Sequence, residues 1–282
     1  MLERTFFSLI IPFYFKDEYS LFQLKRCINS IRKQTFQDFE ILIGTTNYFW
    51  ELKNNSFFEK VNIINTNKEV GYIQDNINSA LEASKGKWNK ILFSDDFFLE
   101  KSELEKLYFF VNSNNYNWII ANSVHIKKND NKIIKPLIPY YQKDIITINT
   151  IGSPSAIAFK NNYSLFFDEK SWMRLDVDFY QTLYKSFGLP GYANNIYIVN
   201  EIHNNQESFI LKKASHPTKI KLKKELDYLS KKHSYKLPNK FKLFFYKKYI
   251  KFERICFSII FFNKKFKNTK IKAPLLNIFE FI

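Results

Sequence analysis

In Trp88-Asn89-Lys90-Ile91-Leu92-Phe93-Ser94-Asp95-Asp96 an apolar run meets two adjacent carboxylates. Two acids at the end of a buried strand are costly unless a divalent cation, a basic side chain or open water compensates them. A metal-bound phosphate group meets that need, and a solvated turn is the plainer alternative. Upstream, in Gly71 to Gly86, the residues Ile73, Ile77, Ala80, Leu81 and Ser84 recur at helical spacing, and Gly86 suits a left-handed cap. The local order is therefore turn, helix, strand, acidic pair, with the fourth strand expected over Lys90 to Phe93.

Working outward, Phe6 to Ile11 is a continuous apolar run closed by Pro12, the pattern of a strand buried on both faces. Leu21, Leu24, Ile28 and Ile31 mark one face of a helix, and Phe39 to Ile43 reads as a second strand closing at Gly44. Strand, helix, strand implies a parallel pair with a right-handed crossover. A short third strand over Val61 to Ile64 completes an α/β half in residues 1–96. In such sheets ligands lie at the carboxyl ends of the strands, where Pro12, Gly44-Thr45-Thr46 and Asp95-Asp96 converge. Further on, Ser102 to Val111 reads as a helix, Trp118 to Lys135 as strand-rich, Gly152-Ser153-Pro154-Ser155 as a turn before a strand over Ala156 to Phe159, and Asp176 to Leu183 as a helix.

Composition excludes wholesale disorder: 45% of residues are hydrophobic and 18% aromatic, against six Gly and eight Pro. The charge is uneven. Residues 1–210 hold 23 basic and 23 acidic side chains, whereas residues 211–282 hold 20 and 4, which is the whole net excess of +16. Cys27 and Cys256 have no partner at metal-ligand spacing, so neither a disulfide framework nor a zinc site is indicated and a reducing cytosol fits. The apolar run from Thr5 to Phe15 carries Pro12 and lacks a cleavage site, so it reads as a first strand rather than a secretory leader. No stretch reaches the roughly 18 apolar residues of a membrane span.

The conjunction of these pieces resembles a family 2 glycosyltransferase of the GT-A fold. Ser8 to Tyr14, Cys27 to Thr35, Phe39 to Ile43, Asn78 to Gly86 and Ser94-Asp95-Asp96 match it in order and spacing over about residues 6–207. The resemblance implies an α/β mixed sheet flanked by helices, with a nucleotide-binding half (1–96), an acceptor half (97–210) and a basic, aromatic helical extension (211–282). It implies that Pro12, Tyr14, Thr45, Asn78 and Asp95 bind a nucleotide-diphosphate sugar, and that Asp96, with Asp95 and His203, holds Mn²⁺ or Mg²⁺, cations that favour hard oxygen ligands.

In Trp172 to Tyr180, Asp176 aligns with the base that deprotonates the acceptor hydroxyl in an inverting transfer, with Asp178 as the alternative. A plainer role for Asp176 is a carboxylate favoured by a helix N-terminus. Ser153, Pro154 and Ser155 resemble the loop beside the acceptor, and a simple turn is the alternative. Three departures from the family pattern bear on the chemistry. The second strand ends in Gly44-Thr45-Thr46-Asn47 rather than a carboxylate, where a threonine hydroxyl can accept the base N–H without charge assistance; Phe15 stands where an Asn is common; and Phe93 stands where many members carry a third acid.

The resemblance also implies a bacterial cytoplasm, peripheral to the inner membrane, with a lipooligosaccharide, O-antigen or capsule glycan, free or lipid-linked, as acceptor. Phe241, Phe244, Phe245, Phe252, Ile255, Cys256 and Ile259 fall on one helical side and Lys247, Lys251 and Arg254 on another, so residues 238–282 suit an anionic membrane surface or a helix packed on the catalytic part. A nucleic-acid-binding protein is disfavoured, because the site-bearing part is neutral and Asp95, Asp96, Asp176 and Asp178 repel phosphates unless a cation intervenes. A catalytically silent scaffold related to the enzymes is the remaining alternative.

Overall fold

The computed structural model describes residues 5–68, 72–127, 130–202, 216–238, 244 and 248–252. Strand β1 (Phe7–Phe13) is buried along its whole length, because it lies at the centre of the parallel half of the sheet. It pairs in parallel with β2 (Phe39–Thr45) on one side and β4 (Trp88–Ile91) on the other, and β3 (Asn62–Asn65) extends the β2 edge. The crossovers are α1 (Glu18–Arg32), the short α2 (Phe49–Lys53) and α3 (Ile73–Glu82). Helix α1 starts where Asp17 and Ser20 form a reciprocal capping box. It buries Leu21, Leu24, Cys27, Ile28 and Ile31 against the sheet, the face its spacing predicts.

The second half begins at β5 (Asp96–Phe98), followed by α4 (Glu103–Ser113), β6 (Trp118–Lys127), β7 (Asp130–Leu137), β8 (Ile157–Lys160), α5 (Leu175–Phe187), β9 (Gly191–Ile202) and α6 (His216–Lys232). The sheet runs β3-β2-β1-β4-β8-β6-β9-β5, with β7 also on β6. Strand β6 is long enough to pair with β8 at its start, through Trp118 to Ile120, and with β7 at its end, from Ser123. Alternation along β1 feeds two cores. Leu9 and Ile11 join Leu24, Ile28 and Leu104 under α1 and α4, while Ile10 joins Ile77, Ile91, Phe179 and Leu183 under α3 and α5.

Several boundaries differ from those the sequence suggests, and β1 runs on through Pro12 to Phe13. Strand β4 ends at Ile91, because the Phe93 N–H leaves the ladder for Ser155 Oγ at 2.8 Å. Asp96 opens β5, opposite Asn200, instead of lying in a turn. Helix α3 ends at Glu82 with Ala83 as its cap, and Gly86 is not left-handed. Its lack of a side chain serves close packing, since a Cβ there would lie 2.5 Å from the Ser8 backbone nitrogen. Likewise Ala156 belongs to a short 3-10 turn, and β8 starts at Ile157.

Candidate active site

Strands β1 and β2 end side by side at Phe13 and Thr45, β4 ends in the same direction at Ile91, level with Ile10, and the order β3-β2-β1-β4 places the point where the winding reverses between β1 and β4. Ligands of open α/β sheets sit outside the carboxyl ends of strands at such a point. Gly44 lets α3 close on this end of β2: a Cβ would meet the Asn76 carbonyl oxygen at 1.8 Å. With that approach made, Asn76 donates to the Phe13 carbonyl at 2.9 Å and accepts from Thr46 Oγ1 at 2.8 Å.

The nucleotide-side residues therefore divide. Pro12 is buried in β1, and Tyr14, just past it, is 49% exposed. Thr45 is buried and donates its hydroxyl to the Asn47 carbonyl, so Thr46, half-buried beside it, is the hydroxyl nearer the opening. Asn78 is spent on structure: its amide exchanges two 2.8 Å hydrogen bonds with the Phe167 backbone. Phe15 stacks on Tyr48 with centroids 3.9 Å apart, and Asn47 brackets the Phe15 backbone with bonds of 2.9 and 2.8 Å. The departures at Phe15 and at the end of β2 thus meet in one wall.

Asp95 is half-buried, and Asp96 is 4% exposed. Burial, with the neighbouring Asp95 charge adding to it, pushes the Asp96 carboxyl up to about 7; the Ser155, Asn200 and Ser153 side chains pull the other way. Ser153 Oγ donates to Asp96 at 3.0 Å. The backbone of the pair is fastened from α1, where Arg26 donates to the Asp95 carbonyl at 2.9 Å, pairs with buried Glu201 and lies 4.5 Å over the Phe97 ring. Tyr19 also donates to Glu201.

On the other side stands Asp176, in the first turn of α5. Its carboxylate accepts from Asn149 and from the Val177 N–H, and burial raises it to about 6 against those bonds and the Arg174 charge. Asn149 also shapes the turn between the two acids: Oδ1 accepts from the N–H groups of Ile151 and Gly152, and Nδ2 donates to the Gly152 carbonyl. Gly152 needs its φ of +97°, a region that favours glycine. Tyr180 donates to the same carbonyl at 2.9 Å, and its own hydroxyl is pushed up by burial and by the charges of both Asp176 and Asp96. Residues 149–155 thereby link Asp96 to Asp176 through hydrogen bonds.

Asp178 points into a different environment. It pairs with Lys232 at 2.8 Å and His233 at 2.6 Å and accepts from Ser171 at 2.9 Å. Ser153 reaches the site, whereas Pro154 and Ser155 are buried beneath it. His203 lies outside the described residues. Among the described residues no three His, Cys, Asp or Glu side chains converge as a metal cluster. Two adjacent carboxylates nevertheless suit Mg²⁺, which is commonly held by one or two carboxylates plus substrate phosphates, and the raised Asp96 marks negative charge that a cation would relieve.

Sequence reasoning missed Lys90, which is fully buried in β4. Its amine donates to the carbonyls of Ile91, at 2.9 Å, and Ser155, and burial lowers it to about 7 against the pull of Asp96. The only signal was a lysine inside an otherwise apolar strand. Tyr180 and the bond from Asn149 to Asp176 had no signal, since each acts across a long sequence separation.

A mixed sheet flanked by helices, with an acidic pair past the end of a parallel strand, is consistent with the GT-A fold. The glycosyl transferase family 2 model matches residues 8–175, well over half of the chain, and the protein belongs to that family of glycosyltransferases. Among solved structures, the chain is similar to Staphylococcus aureus TarS 1–349 in complex with UDP-GlcNAc, with a TM-score of 0.56 and 17% identity over 74% of this chain and 61% of that one. The complex of TarS 1–349 with UDP gives a TM-score of 0.55 at 17% identity, covering 71% and 61%. At this identity the likeness is one of fold, and the chain spans less than two thirds of the length of those structures. No curated protein matches the chain.

Proposed function

We propose that the protein is an inverting glycosyltransferase whose crevice takes a nucleotide-diphosphate sugar beside Asp95 and Asp96 and an acceptor hydroxyl beside Asp176. Asp176 removes the hydroxyl proton as the oxygen bonds to the anomeric carbon, and the bond to the diphosphate breaks on the opposite face. The observation that carries this reading is the link from Asp96 through Ser153 and Gly152 to Asn149 and Asp176, which sets the two acidic walls on one loop. A carboxyl raised to about 6 is a stronger base than a free aspartate and is still ionised at neutral pH. Asp95 and Asp96 would hold Mn²⁺ or Mg²⁺, which offsets charge on a departing diphosphate. Uridine nucleotides are the first donors to test, because the similar TarS structures hold UDP and UDP-GlcNAc.

The acceptor we propose is a growing bacterial surface glycan, such as a lipooligosaccharide, O-antigen or capsule chain, with Ser153 at its edge. The enzyme would work in the cytoplasm, on the inner face of the membrane. Support for the location comes from the basic excess of residues 211–282 and from Phe244, Tyr249 and Phe252, all exposed beside exposed Lys248 and Lys251. Among the described residues no helix is long and apolar enough to cross a membrane.

The test is a thermal-shift screen of nucleoside diphosphates and nucleotide sugars, with and without Mn²⁺. A ligand at a hundred times its dissociation constant stabilises by about 2.7 kcal/mol. Asp96→Ala should lose any Mn²⁺-dependent shift, and Asp176→Asn should keep the donor shift while stopping transfer. A wild-type protein that responds to no nucleotide in the panel refutes the reading.

A further inference from the structure

Helix α6 lies beyond the residues that match the family model, yet one of its faces is fixed to the segment that delivers Asp176. Glu225, 7% exposed, aims Oε1 at three successive backbone N–H groups, those of Trp172, Met173 and Arg174, at 2.6, 2.9 and 3.0 Å. These are the residues leading directly into α5, with Arg174 as its cap. A carboxylate accepting several N–H groups at a helix start combines charge-assisted hydrogen bonds with the favourable end of the helix dipole.

The neighbouring positions on α6 repeat the grip. Lys221 lies 3.9 Å over the Trp172 ring, Tyr228 donates to Asp168 at 2.6 Å, and Lys232 bonds Asp168 and Asp178 at 2.7 and 2.8 Å. Spacings of 4, 3 and 4 from Lys221 through Glu225 and Tyr228 to Lys232 keep all four on one face. From the opposite side Arg174 donates to the Ile146 carbonyl at 2.6 Å and Asn149 holds the Asp176 carboxylate. Asp176 therefore sits between a loop anchored by α6 and a loop anchored by Asn149.

We propose that Glu225 is a positioning residue for acceptor deprotonation: by binding the amides of residues 172–174 it fixes where α5 begins and hence where Asp176 stands. This rests on the reading of Asp176 as the base. Misplacing a reacting group by about 1 Å costs on the order of a hundredfold in rate, so the expected loss is ten- to a hundredfold.

The experiment uses the full chain. In the wild type, the amides of Trp172, Met173 and Arg174 should be protected from hydrogen exchange; exchange at unfolded-chain rates there overturns the proposal without any variant. Glu225→Ala should speed their exchange at least tenfold and move the titration midpoint of the Asp176 carboxyl, followed by carboxyl ¹³C NMR and assigned by its loss in Asp176→Asn. Glu225→Gln keeps an acceptor oxygen and should restore most of both. With the nucleotide sugar selected by the thermal-shift screen, Glu225→Ala should lower kcat ten- to a hundredfold while KM for the donor stays within twofold. A folded Glu225→Ala protein with wild-type exchange and an unmoved Asp176 midpoint refutes the positioning role. Full transfer by Asp176→Asn refutes the base assignment instead, and the two failures are told apart by those readouts.

Discussion

Replacing Lys90 with methionine should make the fold more stable, and by an amount that depends on pH. The amine is fully buried and is lowered from 10.5 to about 7, chiefly by burial, with the Asp96 charge opposing. Below pH 7 it is charged in both the folded and unfolded chains, and the folded state carries the whole cost, roughly 5 kcal/mol for a displacement of that size. Between pH 7 and 10.5 the folded amine is neutral while the unfolded one still binds a proton, so stability rises with pH and the cost falls to roughly 2 kcal/mol at pH 9.

Methionine preserves the length of the side chain and removes that cost, but it leaves the Ile91 and Ser155 carbonyls without their donor, at about 1 kcal/mol or more each. That loss is the same at both pH values, so the difference between them isolates the charge. The variant should gain about 2 kcal/mol more over wild type at pH 7 than at pH 9. Asp96, raised to about 7 by burial, works in the opposite sense: folded Asp96 binds the extra proton between pH 3.8 and 7, so its contribution falls as pH rises through that window. Together the two groups give the wild type a trough near pH 7, and Lys90→Met should erase its alkaline side. Urea unfolding at pH 7 and 9, with unchanged m-values, measures this. An equal gain at both pH values, or a variant weaker at pH 7 than at pH 9, refutes the reasoning.

The base assignment carries a trade-off. Asp176→Asn should abolish the activity limb that rises through about pH 6, yet above pH 6 it should stabilise the fold by up to about 3 kcal/mol, because a carboxyl raised from 3.8 to about 6 is ionised there at a cost; kinetics and chemical denaturation on one preparation test both. Asp178→Asn should instead destabilise by about 1–3 kcal/mol, since it removes the buried carboxylate that His233 and Lys232 share while Lys232 keeps Asp168, and a loss under 0.5 kcal/mol in urea unfolding would show the cluster to be incidental. Gly44→Ala should cost about 3 kcal/mol or more, or prevent folding, because its Cβ would overlap the Asn76 carbonyl and push α3 off the end of β2; a thermal midpoint within 2 °C of wild type would contradict that packing.

What could be read from the sequence follows from the range over which each signal acts. The strands β1 and β2 and the helix α1 were legible because burial on both faces writes a continuous apolar run and burial on one face writes a helical period. The acidic pair was legible because a charge at the end of such a run breaks the pattern locally. The end of β4 was not, because the Phe93 N–H is drawn out of the ladder by Ser155, sixty-two residues away. Asn78 matched the family stretch and proved to be a clamp on the Phe167 backbone, a partner no local pattern names.

Charge was the hardest property to read. In the basic C-terminal segment the surplus of lysine suggested a surface, yet Glu225 is buried and Lys232, itself exposed, reaches across to Asp168 and Asp178. In β4 a single lysine in an apolar run is the buried one. Both cases follow one rule. A buried charge is tolerated where fixed acceptors or an opposite charge await it, and those partners are set by tertiary packing. Here they are the Ser155 and Ile91 carbonyls under Lys90 and three aligned amides before Glu225. Ser155 also lies against Asp96 and the three amides lead into the helix that carries Asp176, so the buried charges that escaped a reading by composition are packed beside the two acids the sequence singled out.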